Sequence, residues 1–266
     1  MISFNYLGNL GRLGNQMFQY ASLKGIAKNH GYDFIIPPRE VFGQNDLLVK
    51  NSELILYDVF DIESNNNIGL TKNKIRQESS FKFDEALFST CDDNVDLYGF
   101  FQSEKYFKNI ENEIKNDFSF HENILKECKE FCVDNFCNSE IISLHVRRGD
   151  YTQNPNHPTQ SIEYYQKALD DLPKIPVIIF SDDPDWCSEQ KIFESDRFFI
   201  SEGNAVDFDL CLMTLCNYHI IANSSFSWWG AWLANSNKVI APKNWFGGSC
   251  INHSTEDLYC SDWSFI

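Results

Sequence analysis

The chain has 266 residues, 43% of them hydrophobic and 15% aromatic, with a formal net charge of −16. That length and apolar content suffice for two compact lobes of roughly 100–150 residues each, and the acid excess excludes a non-specific nucleic-acid binder, whose footprint is basic. An anionic ligand must then be met by local cations.

The nine cysteines include no CxxC pair. They read as the reduced thiols of a cytoplasmic protein rather than as a disulfide framework or a zinc site. The opening residues lack a basic region followed by an apolar run, and no apolar run nears the roughly 18 residues of a membrane span. Neither a signal peptide nor a spanning helix is expected. Peripheral attachment to the inner face of a membrane is compatible with this, and the sequons at Asn223 and Asn252 carry little weight.

In chain order, Gly8, Gly11 and Gly14 lead into Asn15-Gln16-Met17-Phe18-Gln19-Tyr20-Ala21, which predicts a helix to about Lys28. A glycine-rich turn before a helix N-terminus can present backbone N–H groups to an anion, although glycines also simply make turns. Phe34-Ile35-Ile36 reads as a strand. Residues 61–80, with Asn65-Asn66-Asn67 and several lysines, read as a polar loop region, and 104–138 as mainly helical. The lobe boundary is placed at Cys137-Asn138-Ser139, giving lobes 1–138 and 139–266.

From Glu140 onward short β-rich runs alternate with helical segments. Strands are expected at 141–146, 177–181, 198–200, 218–222 and 239–241, with helices near 162–172, 184–193, 206–216 and 226–235. Such alternation marks a parallel, doubly wound sheet. The polar words fall after its strands, at the end where an open α/β sheet binds ligands. They are His145-Val146-Arg147-Arg148-Gly149-Asp150, Ser181-Asp182-Asp183 and Asn223-Ser224-Ser225.

Two adjacent arginines suit a diphosphate, because guanidinium groups stay charged and fork onto phosphate oxygens. The alternative is ion pairing within an acidic protein. Successive strand residues face opposite sides, so Arg147 shares a face with His145 while Arg148 braces the loop. Asp182 and Asp183 could accept from a purine, bind a cation or cap the helix that begins at Pro184. Asp183-Pro184-Asp185 also spells the common DxD metal element of some sugar-nucleotide transferases. Ser224 and Ser225 precede a helix, so an N-cap and an anion site coincide there. Trp228, Trp229 and Trp232 read as core.

The words Gly11 to Ala21, His145 to Tyr151 and Asn223-Ser224-Ser225-Phe226-Ser227-Trp228-Trp229-Gly230-Ala231-Trp232-Leu233 occur in order over nearly the whole chain. Together they resemble the α-1,2-fucosyltransferases, glycosyltransferase family 11, a group similar to the α-1,6 and protein O-fucosyltransferases. The resemblance implies an α/β, GT-B-like fold of two Rossmann-like lobes, with the donor site mainly in the C-terminal lobe and the acceptor side in the N-terminal one. It implies inverting transfer of L-fucose from GDP-L-fucose to the 2-hydroxyl of a terminal galactose, in glycan or O-antigen synthesis. No metal or other cofactor is expected, because Arg147 and the helix start at Ser224-Ser225 supply positive potential. Carried over by position, Arg147 holds the diphosphate, with Arg148 beside it. Asp182, or Asp183 next to it, accepts from guanine. Ser224, Ser225 and Phe226 line the diphosphate, and Asn15 approaches from the N-terminal lobe. Asp150 is the local candidate for general base, with pairing to an arginine as its alternative, and His145 could orient donor or acceptor. Arg12 departs from the family, which commonly has a second glycine there. A transferase of another linkage and a non-catalytic sugar-nucleotide-binding protein are the competing readings.

Overall fold

Short apolar runs joined through helices build two parallel sheets in this structure, a computed structural model that describes residues 1–42, 48–50, 54–62 and 74–266. Residues 1–119 with 254–259 form one unit, and residues 120–253 with 260–266 form the other. The division thus falls before the expected 138/139 boundary. The segment 122–136 contributes Cys128 to the same buried cluster as Phe208, Cys211 and Leu212, so its apolar side belongs to the second unit.

In the first unit the elements are β1 (Ile2–Ser3), α1 (Leu13–His30), β2 (Phe34–Ile35), β3 (Glu40–Phe42), β4 (Leu48–Lys50), α2 (Leu56–Val59), β5 (Lys74–Gln77), α3 (Glu85–Thr90), β6 (Val95–Tyr98) and α4 (Glu111–Asp117). Strands β2-β1-β6-β5 make a parallel sheet, and β3 pairs antiparallel with β4. Of the expected polar loop at 61–80, residues 63–73, including Asn65-Asn66-Asn67, lie outside the described residues, and β5 occupies 74–77. Helix α1 is buried along most of its length and ends at Gly31, whose φ of 68° is left-handed and whose N–H returns to the Ala27 and Lys28 carbonyls. A helix buried on several sides must satisfy its polar groups internally. Gln16 Oε1 accepts from the Ile55 and Leu56 amides, Gln19 donates to the Leu10 and Gly99 carbonyls, and Ser22 donates to the Phe101 carbonyl.

In the second unit follow α5 (Glu122–Phe136), β7 (Ile142–Val146), α6 (Ile162–Asp170), β8 (Val177–Ser181), α7 (Pro184–Ser188), β9 (Phe198–Ser201), α8 (Val206–Thr214), β10 (Tyr218–Ile220), α9 (Ser225–Leu233), β11 (Lys238–Ala241) and β12 (Ser264–Phe265). The sheet order is β12-β11-β10-β7-β8-β9, all parallel. Alternation along β8 sends Val177 and Ile179 to the face covered by α6, and Ile178 and Phe180 to the face covered by α8. Both faces are therefore dry, as a doubly wound sheet requires. Trp228 and Trp229 are fully buried and pack with Trp232 and Trp263 in a core cluster. All nine cysteines are free. Among the described residues no helix is long and apolar enough to cross a membrane.

Candidate functional site

Strand β7 lies between β8 and β10, so the chain winds away from it in two directions. The loops after these three strands meet at the switch point where open α/β sheets bind ligands. Arg147 leaves the end of β7. Its Nη1 pairs with Asp182 Oδ2 at 2.6 Å, its Nη2 pairs with Asp150, and its guanidinium lies 5.1 Å from the Tyr151 ring centroid. The Tyr151 hydroxyl donates to the Asn223 carbonyl at 3.2 Å. One arginine side chain, only 16% exposed, is thereby braced from the ends of β7, β8 and β10 together.

Asp182 also accepts from the Arg148 backbone N–H at 2.8 Å. This approach explains Gly149, where a methyl group would lie 2.4 Å from Asp182 Oδ2. Arg148 turns elsewhere: its Nε pairs with Asp183 Oδ2 at 2.9 Å, and its guanidinium stacks 4.1 Å from the Trp186 ring. Asp183 Oδ1 accepts from the Trp186 amide and caps α7, with Pro184 opening that helix. The cap and the loop brace weighed for these two residues on sequence are thus both realised. Both Asp183 oxygens are engaged, and among the described residues no group of three or more His, Cys, Asp or Glu is placed to hold a metal.

His145 is buried on β7. Its Nδ1 meets Ser227 Oγ at 2.8 Å, and its carbonyl accepts from the Tyr165 hydroxyl at 3.3 Å. Burial, with Arg147 nearby, pushes its pKa down to about 3, so the imidazole is neutral near pH 7 and carries a single N–H. Ser224 caps α9, its Oγ accepting from the Phe226 amide, while Ser225 and Phe226 are half-buried in the first turn. The positive end of the α9 dipole is presented there. Behind it, the buried Asn223 side chain donates to the Pro158 and Trp245 carbonyls and accepts from Gln160, which fixes the start of the helix.

Asn15 belongs to the first unit, where its Oδ1 accepts from Gln102 Nε2 at 2.7 Å. Gly11 has a φ of +87°, and a methyl group there would lie 2.0 Å from Asn15 Nδ2. Arg12 is extended at φ −90°, a conformation that carries a side chain without strain.

The second unit therefore gathers Arg147, Arg148, Asp150, Asp182 and Asp183 into one polar network, in which two sets of ion pairs are joined by the Arg148 amide. Sequence reasoning missed three of its supports, Gly149, Tyr151 and Trp186, and also Ser227, the partner of His145. Gly149, Tyr151 and Ser227 stand inside the three quoted words, whereas nothing local marks Trp186.

The fold defines the class first. The chain is similar to POFUT1 in complex with GDP, at a TM-score of 0.53 and 13% identity over 90% of this chain and 96% of that one. It is likewise similar to NodZ α-1,6-fucosyltransferase soaked with GDP-fucose, at 0.53 and 14% over 93% and 96%. The architecture is that of a GT-B-like α/β protein. Residues 3–266 match glycosyl transferase family 11, and the chain belongs to that family. It is 32% identical to an alpha-1,2-colitosyltransferase of Escherichia coli over 89% of this chain and 90% of the relative. It is 26% identical to the O-antigen biosynthesis glycosyltransferase WbnK of Escherichia coli, over 94% and 97%. It is also 27% identical to galactoside alpha-(1,2)-fucosyltransferase 2 of Pongo pygmaeus, over 86% and 69%.

Proposed function

We propose that this protein is a galactoside α-1,2-fucosyltransferase that moves L-fucose from GDP-β-L-fucose to the 2-hydroxyl of a terminal galactose with inversion. The observation that carries this reading is the bracing of Arg147 at the switch point, in a chain of family 11. Cleavage of the fucose–diphosphate bond places negative charge on the departing GDP, and a preorganised guanidinium stabilises that charge. Arg147 is now compensated by two carboxylates. Asp150 is 56% exposed and Asp182 28%, so an incoming diphosphate displaces Asp150 while Asp182 keeps its hold. Asp150 on this reading steers Arg147 rather than serving as the base. The start of α9 at Ser224, Ser225 and Phe226 adds a second source of positive potential on the diphosphate.

An ionised carboxylate has about four lone-pair sites. Asp182, with two in use, retains capacity for the N1–H and N2–H donors of guanine, and Arg148 with Asp183 holds its loop against α7. His145, neutral and fixed by Ser227, packs against Phe226 and so orients that ring at the start of α9. Turnover proceeds without a divalent metal, in the cytoplasm or at the inner face of a membrane, within surface-polysaccharide synthesis. A second reading is favoured by the Escherichia coli relative, whose name specifies colitose, a sugar that lacks the 3-hydroxyl of fucose. Incubating the purified protein with GDP-fucose or GDP-colitose and a panel of galactose-terminated acceptors tests both. Transfer from GDP-fucose supports the first reading, transfer from GDP-colitose alone the second, and transfer from neither refutes both.

A further inference from the structure

Asp150, Asp182 and the Tyr151 ring all bear on the Arg147 guanidinium. On the reading given under Proposed function, the donor diphosphate displaces Asp150, which leaves Asp182 and the Tyr151 ring to aim the cation. The placing of that ring then decides how Arg147 meets the departing GDP. At its tip the Tyr151 hydroxyl donates to the Asn223 carbonyl at 3.2 Å, which fixes where the hydroxyl points. The tilt of the ring face is set by what packs against it. The His157 imidazole does so, stacked on Tyr151 with centroids 5.2 Å apart and planes 25° from parallel. That near-parallel, offset arrangement is one that aromatic quadrupoles favour.

The segment carrying His157 is built to hold one shape. Pro155 and Pro158 fix two of its φ angles, and a residue that precedes proline is steered to extended backbone. The His157 amide donates to the Asn154 carbonyl at 3.1 Å, and the Asn154 amide to the Tyr151 carbonyl at 3.2 Å. The loop after β11 clips this turn from outside. Its Gly247 amide donates to the Asn156 carbonyl at 2.9 Å, and Asn156 Oδ1 accepts from the Ser249 amide and hydroxyl, each at 2.9 Å. The two backbones lie so close that a methyl group at Gly247 would fall 2.7 Å from the Pro155 carbonyl oxygen. From the same loop Phe246 packs on the imidazole at 6.1 Å, so His157 is in contact with an aromatic ring from each loop.

What the imidazole offers Tyr151 is a flat, uncharged face. Its Nδ1 is buried without a hydrogen-bond partner among the described residues, so aromatic contacts rather than that nitrogen account for its place. Burial pushes its pKa down, opposed in part by Asp150, and the ring is neutral near pH 7. A neutral ring stacks on Tyr151 without repelling the guanidinium that the same tyrosine attracts.

We propose that His157 is a positioning residue for the transfer, acting through the Tyr151 ring to hold the Arg147 guanidinium on the leaving diphosphate, a role that rests on the reading given under Proposed function. Its part is to preserve the aim of Arg147 once Asp150 has let go.

The test is a double-variant cycle read by single-turnover transfer from saturating GDP-fucose, with thermal unfolding alongside. His157→Asn removes the ring and should lower the transfer rate by about 3–10-fold, the worth of one aromatic pair, with the acceptor KM unchanged. His157→Phe keeps the stack and should recover most of that rate. In an Arg147→Ala background, His157→Asn should add less than about a 2-fold loss, because its route to the reaction is already gone. A residue that merely supports the fold would lower the unfolding midpoint and leave the rate of the folded protein unchanged, or would add its full loss to that of Arg147→Ala. Either result overturns the proposal, as does a His157→Phe enzyme as slow as His157→Asn. Should His157→Asn fail to fold, Tyr151→Leu removes the same link, and a rate within about 2-fold of wild type there overturns the proposal equally. Wild-type protein that binds GDP and transfers nothing overturns the proposed function itself, whereas active wild type with an additive cycle overturns only the role of His157.

Discussion

Replacing Arg147 with alanine removes the cation on which the donor site is built, and two separable losses are expected. The first is catalytic. Deleting one preorganised donor to a developing anion costs about 2.7–4 kcal/mol, or roughly 100- to 1,000-fold in kcat. The second is structural. Arg147 and Asp182 are 16% and 28% exposed, between the surface pairs worth about 0–1 kcal/mol and the buried ones whose breakage costs about 3–5 kcal/mol. A stability loss of about 1–2 kcal/mol is therefore expected, because Asp182 keeps only the Arg148 amide. Arg147→Lys should recover part of the activity, since a point charge replaces a fork that now spans two carboxylates. Arg148→Ala is the internal comparison: it breaks the pair with Asp183 and the stack on Trp186, and should cost stability while leaving kcat within a few-fold. Single-turnover transfer with saturating GDP-fucose separates chemistry from binding, and thermal unfolding reads the structural part. Equal and mild effects on kcat at 147 and 148 would refute the assignment of the leaving-group role to Arg147.

Gly149→Ala should impair GDP binding and stability together, because its methyl group would fall 2.4 Å from Asp182 Oδ2 and prise that carboxylate from the Arg148 amide; wild-type GDP affinity in this variant would show that the approach is not needed. Transfer in excess chelator should match the untreated rate, since positive charge is supplied by Arg147 and the start of α9; loss of activity restored by magnesium or manganese would return Asp183 and Asp185 to the role of metal ligands. His219, buried between the Met213 carbonyl and Ser236, has its pKa pushed down to about 4 by burial. The native state thus binds fewer protons than the unfolded chain between pH 6.5 and 4, and stability falls on acidification through that window. His219→Gln should narrow the drop in unfolding midpoint between pH 7 and pH 4, and an undiminished drop would contradict the buried neutral imidazole.

The second unit was largely legible in the sequence, because its strands are short apolar runs closed by polar words and its helices carry local caps. Asp183-Pro184 and Ser224 each announce a helix start by residue type alone, and β7, β8, α6 and α9 appear close to their expected spans. What escaped is what joins positions distant in sequence. Nothing in the local pattern shows that Asp182 reaches Gly149, that Ser227 holds His145, or that Trp186 lies under Arg148. The division at 119/120 escaped for the same reason, since α5 is an ordinary amphipathic helix until the partner for its apolar side is known. In the first unit, strands of two to four residues give too short a period to read. Strand β5 shows why, since all four of its residues are exposed and no alternation marks it.

The most direct measurement is the structure of the product formed from GDP-β-L-fucose and a galactose-terminated oligosaccharide, read by NMR linkage and anomer analysis. The expected product carries a single α-L-fucosyl residue on the 2-hydroxyl of the terminal galactose, released together with one equivalent of GDP. A β-linked product, attachment at another hydroxyl, or GDP binding with no transfer to any galactoside would contradict assignment of this chain as an inverting α-1,2-fucosyltransferase.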